Sequence, residues 1–102
     1  MVDFKFDSVS NTVWCKFSDR MDTPASADAM KVFSEKLREV KTDSLKVVFD
    51  LKGVEYVASA FIRLCLTAAK GVAKGDFSII NTSPQVKKVF KLTGLDTTLN
   101  IT

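Results

Sequence analysis

The chain contains no histidine. Ser-His-Asp triads, histidine–metal sites and imidazole acid–base catalysis are therefore excluded at the outset. Cysteine is scarce: Cys15 and Cys65 stand far apart, in no metal-binding or redox spacing, and read as reduced, buried thiols. The few glycines form no phosphate-cradling loop, and no spacing of the acidic residues singles out a catalytic pair. Neither an enzyme, nor a metal site, nor a cofactor is expected. Long apolar runs are missing too, since none approaches the roughly 18 residues of a membrane span. Met1-Val2-Asp3 opens an alternating segment and not a basic, then apolar leader. The expectation is a cytoplasmic protein without direct membrane insertion.

The length of 102 residues suits one domain over 1–102, with a real core but little room for an elaborate cleft. A net charge of +3 compels no nucleic-acid partner, because the positive residues are scattered except for Lys87, Lys88 and Lys91. That cluster reads as a solvated helix face, and no nucleic acid is expected. Repeats, low-complexity stretches and interdomain linkers are absent.

Hydrophobic periodicity divides the chain into strands and helices. Phe4 and Phe6 share one face of a period-two segment, and Thr12 to Phe17 alternates again, with Val13, Cys15 and Phe17 opposite Trp14 and Lys16. Ser10-Asn11 between them is turn chemistry, so the pair reads as an antiparallel hairpin. Asp22-Thr23-Pro24 reads as a helix start with Thr23 as N-cap and Pro24 at the first helical position. Met30, Phe33, Leu37 and Val40 then repeat at helical spacing. After the polar loop 41–44, Val47-Val48-Phe49 is a buried strand ending at Asp50. A turn at Lys52-Gly53 and a loop over 54–57 lead to a helix over roughly 59–74, closed by Gly75 as a left-handed cap. That helix carries one polar stripe, Arg63, Thr67, Lys70 and Lys74, on an otherwise apolar or small-residue surface. Phe77 to Ile80 is the next strand, which makes a βαβ unit and hence a parallel pair. Ser83-Pro84 starts a third helix, Gly94-Leu95 ends it, and the tail 96–102 reads as a short strand or an extended cover. The fold class is α/β, with a mixed sheet of four or five strands and helices packed against it.

Open α/β sheets present their working residues at the carboxyl ends of strands, which points to the segment 57–61. Read in order, Asp50-Leu51-x-Gly53-Val54, Tyr56-Val57-Ala58-Ser59-Ala60, Asn81-x-Ser83-Pro84-Gln85-Val86 and Leu92-Thr93-Gly94-Leu95 resemble a STAS domain, the fold of bacterial anti-sigma factor antagonists. The likeness spans the whole length and is most specific in NTSPQVKKVFKLTGLD; Asp22-Thr23-Pro24-Ala25 also resembles the family's first-helix start. The resemblance implies partner switching. An unmodified antagonist binds a serine-kinase anti-sigma factor and so frees a sigma factor, and phosphorylation of a serine at the start of the second helix breaks the complex. A phosphate adds about −1.5 to −2 charges to a tight interface, enough to reverse binding.

This chain departs from that pattern. The family's loop usually reads Asp-Ser-Ser-Gly, and alignment on Tyr56 and Ile62 places Ala58, Ser59, Ala60 and Phe61 in those slots. The acceptor slot thus holds Ala60, which has no hydroxyl. Ser59, the one hydroxyl left in the loop, reads as N-cap of the second helix, with a displaced phosphoacceptor and a direct partner contact as alternatives. Phe61 is either core or an exposed anchor. Asp50 reads as a strand-end hydrogen-bond acceptor. By this resemblance the partner-binding set is Asp22, Thr23, Tyr56, Val57, Ala58, Ser59, Ala60, Phe61 and Arg63, and the partner an anti-sigma factor with serine-kinase character. Two other readings stay open: an accessory subunit docking on a transporter ATPase, and a domain holding a small apolar ligand between sheet and helix. The oligomeric state is open as well.

Overall fold

Strand alternation builds the first hairpin as the sequence predicts. The computed structural model describes residues 2–40, 44–73 and 75–102. In it β1 (Val2–Asp7) and β2 (Thr12–Phe17) pair antiparallel, with Phe4 opposite Cys15 and Phe6 opposite Val13 on the core side and Lys5 opposite Trp14 on the other. A three-residue strand β3 (Asp19–Met21) precedes α1 (Thr23–Glu39). Then follow β4 (Lys46–Asp50), β5 (Val54–Val57), α2 (Ser59–Lys70), β6 (Phe77–Ile80) and α3 (Pro84–Leu92). The main sheet runs β1-β2-β4-β6, with β2, β4 and β6 mutually parallel, and β3 pairs with β5 in a separate parallel ribbon. The parallel β4-α2-β6 unit and the mixed four-stranded sheet are those expected from the periodicity.

Several boundaries differ from expectation. The segment 54–57, read as loop, is the strand β5. Its burial pattern has both ends in and the middle out, so it carries no alternation, and its strand character comes from pairing with β3. Helix α2 stops at Lys70 because Gly71 serves as its C-cap, where the loss of helix propensity outweighs the continuing apolar pattern. Gly75 does adopt a left-handed φ of 91°, but in the turn into β6 and not as the helix cap. Within the expected polar stripe, Arg63, Thr67 and Lys70 are exposed, whereas Lys74 lies outside the described residues, as do residues 41–43 of the polar loop. Leu99 in the tail is fully buried among turns, and Ile101 makes a single parallel bridge to Ile79.

The third helix follows its sequence signals closely. The Ser83 hydroxyl accepts from the Val86 amide at 3.3 Å, and Pro84 occupies the first position. At the other end Gly94 takes φ 74°, while Leu95 N–H donates to the Phe90 carbonyl and Gly94 N–H to that of Lys91, both at 3.0 Å. This pair of bonds is a Schellman closure.

The core is aromatic. Phe49 of β4 has ring centroids of Phe17 at 4.8 Å, Phe77 at 5.0 Å, Phe33 at 5.6 Å and Phe61 at 6.3 Å around it. Most of these contacts are edge-to-face, the geometry favoured by ring quadrupoles and worth about 0.5–1.5 kcal/mol per pair beyond area burial. Each helix inserts its own buried face: Ser26, Ala29 and Phe33 from α1; Phe61, Leu64, Cys65 and Ala68 from α2; Val86 and Phe90 from α3. Met30 and Leu37, expected in the face of α1, pack at its margin, and Val40 caps the helix.

Truncating the hub should therefore be expensive. Phe49→Ala is expected to cost about 3–5 kcal/mol in urea denaturation, whereas Phe6→Ala at the exposed end of β1 should cost well under half of that. The two thiols generate a second expectation. Burial pushes Cys15 and Cys65 far above the ordinary thiol range. Because the unfolded chain ionises these groups while the folded chain does not, their contribution is intact below the ordinary thiol pKa of about 8.5 and declines as pH rises beyond it. A denaturation midpoint that stays flat from neutral to strongly alkaline pH, or rapid thiol labelling of the folded protein, would contradict this reading.

Candidate partner-binding site

One carbonyl gathers the candidate residues. The Met21 oxygen, at the end of β3, accepts from the Ala58 amide at 2.9 Å and from the buried Ser26 hydroxyl at 3.2 Å. It thus ties the start of α2 to the first turn of α1. Strand pairing continues the junction, with Met21 opposite Val57 and Arg20 opposite Tyr56. Asp22 and Thr23 are consequently brought beside the segment 56–60 although more than thirty residues separate them in sequence.

Exposure divides the predicted set. Thr23, Ser59 and Arg63 are exposed, Tyr56 is 42% exposed, and Asp22 and Ala60 are half-buried. Val57 and Ala58 are buried, and Phe61 has no exposed surface at all. The anchor reading of Phe61 is corrected: its ring stands edge-on to Phe17 at 5.1 Å, inside the core. Val57 and Ala58 likewise support the platform from beneath and offer almost no area to a partner.

The two helix starts also correct the predicted caps. At α1 the cap is Asp22, not Thr23; its Oδ1 accepts from the Ala25 amide at 3.0 Å, which shifts Thr23 into the helix and frees its hydroxyl outward. At α2 the capping position is Ala58, which has no side-chain acceptor, so Ser59 is the first helical residue and not the cap. The bonds from Phe61 and Ile62 amides go to the Ala58 carbonyl at 3.0 and 3.3 Å. Ser59 makes no side-chain hydrogen bond among the described residues, so its hydroxyl stands free on the surface.

Two further features frame the platform. Asp50 is a strand-end acceptor as expected: its Oδ1 takes the Lys52 amide at 2.9 Å and the Asn81 side-chain amide at 3.0 Å, joining the ends of β4 and β6. Arg20 is a residue the sequence did not signal. Its guanidinium lies 4.4 Å from the centroid of the Tyr56 ring, over the exposed face of the ribbon. A bulge between Asp19 and Arg20, with Asp19 at φ 64°, sets that direction. Three residues are too few to show periodicity, and nothing else in the sequence marks β3. Of the apolar surface of α2 that suggested a ligand between sheet and helix, Phe61, Leu64, Cys65 and Ala68 lie in the core, while Leu66 and Ala69 border an open pocket of about 530 Å³ beside Gly75, Thr97 and Asn100. Among the described residues no cluster of metal-ligating side chains occurs, and no helix is long and apolar enough to cross a membrane.

Substitutions at the two helix starts should separate these roles. Asp22→Ala is expected to cost about 1 kcal/mol through loss of the cap, and Ser59→Ala less than about 0.5 kcal/mol. Ala58→Ser, which supplies the missing acceptor, should stabilise by a few tenths to about 1 kcal/mol; thermal unfolding of the three variants checks the order.

Comparison with known proteins places this geometry. A family model described as Mlab, STAS domain matches residues 22–101. A relative from Bordetella bronchiseptica, which carries the name of an anti-sigma factor antagonist, BtrV, is 31% identical over 71 residues, covering 68% of this chain. The matched part spans 61% of that relative's length. Among solved structures, an anti-sigma-factor antagonist (STAS) domain protein from Planctomyces limnophilus superposes with a TM-score of 0.83 at 21% identity, over 99% of this chain and 87% of the other. The Bacillus cell fate determinant SpoIIAA in its phosphorylated form gives 0.71 at 16% identity, over 100% and 91% of the two chains. At these identities the two structures speak to the fold alone. The chain belongs to the STAS domain family, which includes the bacterial anti-sigma factor antagonists.

Proposed function

We propose that this domain is a protein-binding module acting as an anti-sigma factor antagonist by partner switching in the cytoplasm. Its partner is an anti-sigma factor with serine-kinase character, its activity is binding and not catalysis, and the docking surface is the platform of Asp22, Thr23, Tyr56, Ser59, Ala60 and Arg63. The observation that supports this reading most is the Met21 junction, which assembles that platform from α1, the ribbon and α2 in a STAS domain. Tyr56 and Arg63 supply the side-chain types that dominate binding energy at such surfaces.

The phosphate switch is altered in this chain. SpoIIAA has been solved in unphosphorylated and phosphorylated forms. Here the slot that the family resemblance makes the acceptor is Ala60, which cannot take a phosphate. A domain without that acceptor is a constitutive antagonist, or answers to the state of its partner. Ser59 is the one hydroxyl of the loop, exposed and unbonded, and is the position to watch for a displaced modification.

The test is affinity capture from native lysate with wild-type bait beside a Tyr56→Ala, Arg63→Ala double variant, followed by titration of the purified partner. The expected result is an ATP-binding anti-sigma kinase whose affinity falls roughly tenfold or more in the variant, about 1.4 kcal/mol. Incubation of that kinase with ATP should leave residues 56–61 unmodified, and phosphate found there would contradict the constitutive reading. A transporter ATPase in the kinase's place would reassign the domain to an accessory role.

A further inference from the structure

We propose that the free edge of β1 is an interface between two copies of this chain, joined antiparallel through residues 2–6. This inference is independent of the partner platform, which lies on the ribbon and the helix starts.

Among the described residues β1 ends the sheet, and one row of its backbone N–H and C=O groups has no strand beside it. Its core-side row is also poorly covered. Val2 and Phe4 are half-buried and Phe6 is 41% exposed, whereas the facing residues of β2 are fully buried. Helix α1 leaves two gaps along β1: one of about 170 Å³ bordered by Val2, Ala25 and Val32, and one of about 150 Å³ bordered by Phe4, Phe6 and Val40. An open edge beside a partly exposed apolar row is a template for another strand.

The charge pattern names the occupant. Asp3, Lys5 and Asp7 alternate on the outer face of β1. In an antiparallel pair, residues whose numbers have a constant sum face each other, and an odd sum would set the apolar row against the charged row. With Phe4 opposite its own copy, Asp3 faces the other chain's Lys5 twice, and Val2 faces the other chain's Phe6 twice. Both faces match over five residues. The next register along sets Lys5 against Lys5 and Asp3 against Asp7, like charges in both cases. The one after that pairs Lys5 with Asp7 but keeps only three strand residues in contact. Opposite charges directly across a ladder are favourable and like charges unfavourable, so the outer face selects one self-pairing. A strand of unrelated sequence would have no reason to fit that pattern.

Five residues make a small interface, at the low end of specific contacts, so the association is concentration-dependent. Sedimentation of the full chain from about 10 μM to about 1 mM at low salt is expected to show conversion from monomer to dimer. Lys5→Asp sets like charges opposite one another in this register and in the next and should weaken the dimer roughly tenfold or more, whereas Asp3→Lys does so in this register only. The double variant, with the charges exchanged, should restore it to within about threefold of wild type. Lys46→Asp on β4, away from the edge, should leave the dimer unchanged, and thermal unfolding confirms that each variant is folded. A wild-type chain that stays monomeric throughout overturns the proposal and leaves the edge to a strand from another protein. A folded Lys5→Asp variant that dimerises like wild type overturns it too.

Discussion

The structure depends on the packing around Phe49. At its ring the central parallel strand, the first helix, the second helix and the neighbouring strands on both sides meet. In a small domain the ratio of surface to volume limits how much apolar area can be hidden, so stability rests on a few large side chains placed well. Five of the eight phenylalanines serve this purpose. The hairpin brings Phe17, α1 brings Phe33, α2 brings Phe61 and β6 brings Phe77, and none of these elements has a core of its own.

This arrangement determines how the candidate surface is supported. Phe61 sits in the first turn of α2 with its ring among the core aromatics, only two residues after the exposed Ser59. The start of α2 is therefore clamped from below by packing and from the side by the hydrogen bond from Ala58 to Met21. A surface held this way loses little conformational entropy when a partner binds, which favours affinity from a modest number of contacts. The side chains left to face outward are few and differ in chemistry: an aromatic under a guanidinium, two hydroxyls, an alanine and an arginine.

Much of this was legible in the sequence, for reasons that can be stated. The hairpin, β4, β6 and α3 show period-two or helical repetition with turn or capping residues at their ends, and those signals act locally. The strand β5 was not legible because four residues with both ends buried show no alternation, and its partner β3 is shorter still. The caps were hidden for a related reason. Asp22 and Thr23 are both good caps, and the choice between them depends on where the Met21 carbonyl directs the chain. Ser59 looked like a cap because it is a hydroxyl before an apolar run, but the extended residue before the helix is Ala58. Phe61 could not be assigned from one dimension, since an aromatic at a helix start suits a core and an interface equally. The end of α2 is not marked by its apolar pattern, which continues past Gly71, and periodicity carries no information on where backbone propensity fails.

The shared Met21 carbonyl has a consequence for how such a domain diversifies. Because a single oxygen serves both helix starts, an insertion or deletion in residues 57–60 would displace the first turn of α1 along with that of α2. Length variation in this loop is thereby penalised, while exchange of the outward side chains is not. A lineage that changed its allegiance from one regulator to another would be expected to do so by point replacement at Thr23, Tyr56, Ser59 and Arg63 on an unaltered backbone. Ala58 and Ala60 suit that mode of change, since the bond from the Ala58 amide to the Met21 carbonyl asks nothing of either side chain.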